Sequence, residues 1–513
     1  MAISTIRVSE VLAALSLTTD LATGMPFEKG LATCLVATAL ADEIGLDSAD
    51  CRVVFHAALL GAVGCTSHAT ENAAIFGDDI AFETAFKALD FGDAEVFGAQ
   101  MAQFGSWAGP EKQPKMVADF LRLAPTTGAV AARSVCEVSK ALGPRLGLPE
   151  GSVTALSEVY ERWDGLGIPD HEHGDEISLP ARILHVAEQA VQAHGARGRG
   201  AAVSELQRRS GGHLDPDLVS AFVKGADTVF GRLDSPDLLA AVVAAEPGLP
   251  AVVVPSERDR LCLALAIVVD LKGRFLLGHS AHVAGLSDRA GELSGMSADD
   301  RARLRAAALL HDIGRAAVSS SVWDRPGPLG AGDWERVRLH AYWTDRILRR
   351  CPGLADLADI ASGHHERLDG SGYHRGCRGR DLSAAAKLLA AADVFAALTE
   401  DRPYRPAHSP GAAASIIAEE VAGGRLDRDA CAAVVEAAGL RPPRRQWPND
   451  LTDREVDVLR LAARGMSNRK IAGELVVSER TVGHHLAHIY DKIGRRTRAG
   501  AAVFAMEHGL LPG

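Results

Sequence analysis

The sequence predicts an all-α protein: one helical domain in two tandem copies, then a small four-helix domain at the C-terminus. Three observations predict it. Alanine is abundant while aromatic residues are 5% of the 513-residue chain, which suits closely packed helices better than a β-sandwich. Segments from the first 190 residues recur, in the same order, after residue 290. Residues 451–513 fall into short stretches of helical periodicity punctuated by Gly and Ser.

Length and composition narrow the function classes. A chain of this length suggests roughly three domains, and 47% hydrophobic with 24% charged residues is globular. The eight cysteines are scattered without a C-x-x-C pair, as expected of reduced thiols and not of a disulfide scaffold or zinc finger. The apolar stretch 11–17 is preceded by Glu10 and followed by Asp20, so it does not read as a signal peptide. The richest longer stretch, 238–254, is broken by Glu246 and Pro247, so no membrane span is expected. These features predict a cytoplasmic protein with no membrane partner. The net charge of −11 is uneven: residues 451–513 carry ten Lys/Arg against seven Asp/Glu, the remainder 45 against 59. A basic tail on an acidic body points to a nucleic-acid partner for the tail alone.

Taken in order, residues 1–24 read as a leading helix with Val8, Val11, Leu12 and Leu15 on one face. The repeat then begins. Gly45 to Asp50 resembles Gly295 to Asp300, and Ala57-Ala58-Leu59-Leu60-Gly61-Ala62-Val63-Gly64 matches Ala307-Ala308-Leu309-Leu310-His311-Asp312-Ile313-Gly314. Tyr160-Glu161-Arg162-Trp163-Asp164-Gly165-Leu166-Gly167 matches His365 to Gly372, and Pro180 to Leu184 matches Ala385 to Leu389. In the first copy Gly61-Ala62 replaces His311-Asp312, Val159-Tyr160 replaces His364-His365, and Glu188 falls opposite Asp393. Setting Phe27 and Gly30 against Phe275 and Gly278 puts Leu31 opposite His279. Gly61 to Tyr160 spans 99 residues against 54 from His311 to His365, a surplus of 45 placed within 66–130. The expected domains are 1–195, a degenerate copy; 196–257, a helical connector broken by prolines; and 258–440, the chemically equipped copy. Residues 441–450 form a proline-stiffened linker and 451–513 the tail.

The chemistry centres on His311-Asp312, where the apolar run Ala306 to Leu310 leads into an adjacent imidazole and carboxylate. Aspartate has two oxygens, enough to bridge two metal ions, and borderline divalent metals accept the mixed nitrogen and oxygen set. An isolated His-Asp is usually a surface dipeptide. This one is followed by His340, His364-His365, and Asp393 within an alanine/leucine run. Burying that last carboxylate unpaired would be costly, and a metal removes the cost.

These segments resemble a known family. His279-Ser280, His311-Asp312, His340, His364-His365-Glu366-Arg367-Leu368-Asp369-Gly370-Ser371-Gly372-Tyr373, and Asp393 through Thr399-Glu400-Asp401-Arg402-Pro403-Tyr404-Arg405 look like the HD-GYP branch of the HD metal-dependent phosphohydrolases. The family's Gly-Tyr-Pro reads Gly372-Tyr373-His374 here, and Arg315 stands where the family has lysine. The resemblance implies tandem HD-type helical domains and a two-metal site. Asp312 would bridge, His311 and Asp393 would hold one ion, and His340, His364 and His365 the other, with His279 as the first-helix histidine. Two divalent transition metals are expected, iron or manganese before magnesium, because imidazoles suit them. Such a pair activates water for in-line attack on phosphorus. Asp312 and Arg315 are the expected catalytic residues. Arginine holds phosphate bidentately, so binding should survive the exchange from lysine more readily than rate. Tyr373, Arg402 and Arg405 are expected to contact substrate. The resemblance implies cyclic di-GMP; the residues themselves imply only a phosphoester.

In the tail, Thr452 caps a helix with Val456, Leu459 and Ala463 on one face, and Gly465 stops it. Ser467-Asn468 starts a second through Ile471, Ala472 and Leu475; Ser478 caps a third through Val482, Leu486 and Ile489; a fourth is expected from Arg498 to His508. That is helix–turn–helix spacing. Ser478 to Gly494 resembles the LuxR-type DNA-binding domain, which implies a third helix in the major groove of duplex DNA. Arg480, Thr481, His484, His488 and Lys492 are the expected contacts, and Gly483 stands where family members often have a polar or basic residue. The whole reads as a homodimeric transcription regulator whose body is a metal-dependent phosphohydrolase of the cyclic dinucleotide phosphodiesterase kind. The alternative is a catalytically impaired sensor whose ligand occupancy controls the DNA-binding tail.

Overall fold

The computed structural model describes residues 6–440 and 447–510 except 464, 496, 498–500, 503, 506, 507 and 509. Among the described residues the chain forms α-helices and short 3-10 helices with only isolated β-bridges, so it is all-α. No helix among them is long and apolar enough to cross a membrane. All eight cysteines are free thiols. The chain forms two compact units, residues 1–440 and 441–513.

In the first unit both copies share one continuous apolar core, with Leu12, Leu35 and Phe55 from the first and Leu265, Leu286 and Leu309 from the second. The leading helix Val8–Ala22 is buried along nearly its whole length because it packs on Lys29–Glu43 of the first copy and Ala331–Arg350 of the second. Its Glu10 carboxylate accepts from Arg7 N at 2.9 Å and Gly353 N at 3.2 Å, tying the N-terminus to the second copy.

The duplication is visible in the backbone. Lys29–Glu43, Ser48–Leu59 and Leu179–Arg197 answer to His279–Leu293, Ala298–Leu310 and Ala384–Thr399. Lys29–Glu43 and His279–Leu293 each follow a left-handed cap residue, Glu28 (φ 73°) and Gly278 (φ 80°). In each, a buried aspartate ten residues upstream accepts from the second helical amide: Asp20 from Gly30 N at 3.2 Å, Asp270 from Ser280 N at 3.3 Å. This register corrects the expected pairing of Leu31 with His279. Lys29 stands opposite His279, and Phe27 has a different role from Phe275, lying 5.9 Å from the Trp343 ring. Close helix approach is preserved too. A Cβ on Gly314 would lie 2.0 Å from the His340 carbonyl oxygen, and one on Gly64 would lie 2.7 Å from that of Val135. Val135 therefore occupies the position of His340.

The 45 surplus residues form the helices Ala69–Phe76, Asp79–Ala88 and Ala94–Met101 and the early turns of Gln113–Leu146. They have their own ring cluster around Phe76, Phe82, Phe104 and Phe120. Residues 196–257, expected to connect the copies, also build an outer layer on the first. Their helices Arg199–Arg209 and Pro216–Lys224 pack on Leu179–Arg197, and Phe222 and Phe230 meet edge-on at 5.2 Å.

Asp20 gives a pH signature. Burial drives its carboxyl up to about 7, against the pull of Lys29, the Gly30 amide and Lys87. The folded chain thus keeps a proton that the unfolded chain releases near pH 4. The contribution of this group to stability falls as pH rises from about 4 to 7 and is flat above that. Asp20→Asn keeps an acceptor for Gly30 N without titrating. We expect the pH-dependent fall in melting temperature over that window to be shallower in Asp20→Asn than in the wild type; parallel melting curves from pH 4.5 to 7.5 would count against it.

The second unit holds Asp453–Ala463, Asn468–Glu474 and Glu479–Ile493 around Val456, Leu459, Ile471, Leu486 and Ile489. A reciprocal cap starts it: Glu455 N donates to Thr452 Oγ1 at 3.2 Å and Thr452 N to Glu455 Oε2 at 2.8 Å. Residues 441–446 of the expected linker, and much of the expected fourth helix, lie outside the described residues; Ala501, Phe504 and Ala505 join the core.

Candidate functional site

The site is assembled by helix ends. His311 closes Ala298–Leu310 and Asp312 caps the following 3-10 turn Ile313–Ala317. Gly314 lets Ala331–Arg350 come close enough for His340 to reach in, and Thr344 stitches the two together. Its hydroxyl donates to His311 O at 2.9 Å and accepts from Gly314 N at 3.0 Å. His364 and His365 follow the short helix Ala358–Ala361, and Asp393 projects from the middle of Ala384–Thr399. His279 opens its own helix.

The other six gather around Asp312 in two sets, one beside each of its oxygens. Oδ2 lies 3.1 Å from His311 Nε2 and 3.7 Å from His279 Nε2, and Asp393 Oδ1 is 3.3 Å from His279 Nε2. Oδ1 lies 3.5 Å from both His340 Nε2 and His364 Nε2, which are 3.1 Å apart. His365 Nδ1 is 4.0 Å from Asp393 Oδ2. The outer nitrogens are engaged elsewhere: Nδ1 of His311 meets Ala308 O and that of His364 meets Ala361 O, both at 2.6 Å, and that of His340 meets Val337 O. An imidazole donating through Nδ1 presents a bare Nε2 lone pair inward. Glu400, not singled out from the sequence, does this for the fourth, with Oε2 at 2.8 Å from His279 Nδ1 and Oε1 at 2.8 Å from His282 Nδ1.

This arrangement fits metal. His279 Nε2, His311 Nε2 and both Asp312 oxygens are buried without a hydrogen-bond partner, an expense proteins avoid unless something else fills the site. Atoms that each sit about 2.1 Å from one cation are roughly 3.0–3.4 Å apart, close to the 3.1–3.7 Å separations around the two Asp312 oxygens. The electrostatics agree. Burial works against a charged His311, yet the adjoining Asp312 carboxylate overrides it and lifts its pKa to about 10, so the pocket attracts positive charge. Burial holds His340 down to about 3 and His365 well below its usual value, leaving both neutral and able to ligate.

Arg315 lies against the bridging carboxylate, Nε 2.8 Å from Asp312 Oδ2, with its guanidinium 4.6 Å from the Trp323 ring centre. It borders a cavity of about 600 Å³ whose walls include Phe275, Trp323, Trp334, Arg402 and Tyr404. Arg402 is braced there by Phe275 O at 2.8 Å and Glu400 Oε2 at 3.0 Å. Two expected substrate contacts lie apart from this cavity. Tyr373 stacks on His365 at 4.7 Å, and Arg405 donates to carbonyls at the end of Ala384–Thr399, including Leu398 O at 3.1 Å. Arg405 is thereby engaged as a helix cap.

In the second unit Ser478 caps Glu479–Ile493, accepting from Thr481 N at 3.0 Å. Arg480, His484 and His488 are exposed at successive turns opposite the buried Val482, Leu486 and Ile489, with Thr481 half-buried beside them. Lys492, expected to hold phosphate, turns back instead. It donates to Glu455 Oε2 at 2.7 Å and Asp450 O at 2.8 Å, so its ammonium secures the first helix of the unit.

Comparison with known proteins agrees with both units. The HD domain family matches residues 131–218 and again 264–430, one stretch in each copy. The family of bacterial regulatory proteins described as luxR matches 449–505. The 3'3'-cGAMP-specific phosphodiesterase 3 of Vibrio cholerae serotype O1 is 28% identical over 450 residues, covering 86% of this chain and 96% of that protein. A cyclic di-GMP phosphodiesterase of Thermotoga maritima is 39% identical over 129 residues, 25% of this chain and 35% of that protein. The crystal structure of a cyclic GMP-AMP specific phosphodiesterase of V. cholerae shares the fold, with a TM-score of 0.60 and 24% identity over 86% of this chain and 99% of that one.

Proposed function

We propose that this chain, which belongs to the HD domain family and ends in a luxR-family regulatory domain, is a cytoplasmic transcription regulator that hydrolyses a cyclic dinucleotide in its second HD copy. The observation that carries the reading is the two-sided ligand set around Asp312, intact in the second copy beside a cavity large enough for a nucleotide-sized molecule. The substrate class is supported by what the similar V. cholerae and T. maritima proteins are named for. Bound divalent cations would polarise phosphoryl oxygens and lower the pKa of water. Asp312 would hold both, His279, His311 and Asp393 one side, and His340, His364 and His365 the other. In the hydrolysis one P–O bond breaks; water supplies hydroxyl to phosphorus and a proton to the departing sugar oxygen. Arg315, which borders the cavity, would hold a phosphate, and the Tyr404 ring on its wall would stack on a base. Arg480, Thr481, His484 and His488 would read DNA, and a homodimer would match a two-fold operator.

One observation favours a second reading, in which ligand is bound but not turned over. Arg315 already neutralises Asp312 Oδ2, and arginine, unlike lysine, gives up neither its charge nor its fork geometry readily. A single experiment addresses both. Operator DNA is titrated with full-length protein, manganese present, with and without 3'3'-cGAMP or cyclic di-GMP, while linear product is measured. A change in operator affinity on the order of 5- to 150-fold is expected if coupling is typical. Product formation marks the enzyme, and the same shift without product marks the sensor. Unchanged operator affinity at saturating dinucleotide would mean that the two units share a chain without sharing a signal, and absence of product as well would overturn both readings.

A further inference from the structure

The degenerate copy contains a cavity that the reading above leaves unused. It is about 450 Å³ and opens beside the residues that replace the metal-ligand set, with Gly61, Tyr160 and Glu188 at positions equivalent to His311, His365 and Asp393. The surplus segment supplies its aromatic wall apart from Tyr160. Seven of the fourteen phenylalanines in the chain fall between residues 76 and 120, and Phe86, Phe91 and Phe120 face this space. Their rings form a linked series: Phe86 is 6.0 Å from Phe91, 6.5 Å from Phe120 and 6.4 Å from Tyr160. In a chain so poor in aromatics, concentrating rings around one hollow marks it as a surface for another ring.

The floor settles the charge of the occupant. Lys29, opposite His279, pairs with Glu188, opposite Asp393, so an ammonium stands where the active copy would hold a cation. Arg162 is taken up by Asp164 at 2.6 Å and Asp90 at 4.0 Å. Lys87, at the end of Asp79–Ala88, has no hydrogen bond or ion pair among the described residues and borders the cavity with carboxyls of Glu188, Glu83 and Asp20 around it. Burial pushes the Glu83 carboxyl up to about 7 against the pull of Lys87. Glu161 and Glu188 line the cavity and Arg162 is already paired, so a phosphate would have the Lys87 ammonium set against two carboxyls.

We propose that this cavity binds an uncharged aromatic molecule bearing a hydrogen-bond acceptor, its ring among Phe86, Phe91, Phe120 and Tyr160 and its acceptor on Lys87. The site stands apart from whether the second copy turns over a dinucleotide. The probe is 6-propionyl-2-(dimethylamino)naphthalene, an uncharged fluorescent ketone, added to the full-length protein. The expected result is saturable, blue-shifted fluorescence at one probe per chain. It is insensitive to cyclic dinucleotide and lost in Ala124→Trp, which fills the hollow from the helix Gln113–Leu146. Lys87→Met should weaken the probe by about tenfold to a hundredfold, the usual worth of a hydrogen bond to a charged group. Lys87 supports no other side chain through a bond, so this variant tests the site even if Ala124→Trp, followed by circular dichroism, fails to fold. Unsaturable fluorescence, displacement by cyclic dinucleotide, or unchanged affinity in Lys87→Met would overturn the proposal.

Discussion

Asp312→Ala is expected to remove the response to manganese and at least about a thousandfold of any phosphodiester hydrolysis, because metal-based stabilisation of the transition state is worth several kcal/mol. Asp312 serves both halves of the site through separate oxygens: Oδ2 faces His311 and His279, Oδ1 faces His340 and His364. Losing both oxygens leaves His340 and His364 without their carboxylate and His279 and His311 with Asp393 alone. A thermal melt reads this without activity. In the wild type, manganese at a thousand times its Kd should stabilise by about 4 kcal/mol per site through mass action, and Asp312→Ala should show none of it. Glu400→Gln supplies the graded contrast. It keeps an oxygen for His279 Nδ1 but loses the charge that Glu400 holds, its carboxyl brought down to about 2 by the His279 and His282 hydrogen bonds despite burial. A loss of roughly 10- to 100-fold in metal affinity is expected there. An undiminished manganese shift in Asp312→Ala would show that the cations bind elsewhere.

The site was legible in the sequence to the extent that its chemistry sits in short local runs. His311-Asp312, His364-His365 and Asp393 each end or interrupt an apolar stretch, and a polar group placed there has to be accounted for. What depends on distant packing could not be read. Glu400 orients His279 across 121 residues of chain, and nothing near either residue announces the pair. Val135 stands in for His340, but the surplus of the first copy lies just before it and obscures the register. The pairing of Phe27 with Phe275 misled by two residues; the buried aspartates Asp20 and Asp270, each holding a helix amide, fix it. Arg405 and Lys492 show the complementary limit. Their charge is evident from the sequence, but whether it faces a ligand or a helix end depends on the fold.

Asp79→Ala is expected to cost the first unit about 3–5 kcal/mol, the usual penalty for stranding a buried charge. Asp79 belongs to the surplus segment of the first copy, yet its partners belong to the second. Oδ2 pairs with Lys272 Nζ at 2.9 Å, both side chains 1% exposed, and Oδ1 accepts from Ser319 Oγ and Ser320 N, each at 2.7 Å. Without it, the Lys272 ammonium keeps only the carbonyls of Ala316 at 3.2 Å and Ala22 at 3.5 Å. Replacing both charges by apolar groups, Asp79→Leu with Lys272→Met, should recover much of the loss, since no ion is then left unpaired. The consequence extends past stability. Ser320 opens the short helix Ser320–Trp323, and Trp323 carries Arg315 on its face and His340 at its edge, 5.7 Å away. Asp79 sits at one end of the ten-residue helix Asp79–Ala88 and Lys87 near the other, so one rigid strut joins the aromatic cavity of the first copy to the wall of the second. Asp79→Asn keeps the serine contacts and loses the charge; it should fall between wild type and Asp79→Ala in melting temperature while leaving dinucleotide affinity closer to wild type than Asp79→Ala does. Equal affinities in all three proteins would show that Asp79 holds the copies together without bearing on the cavity beside Arg315.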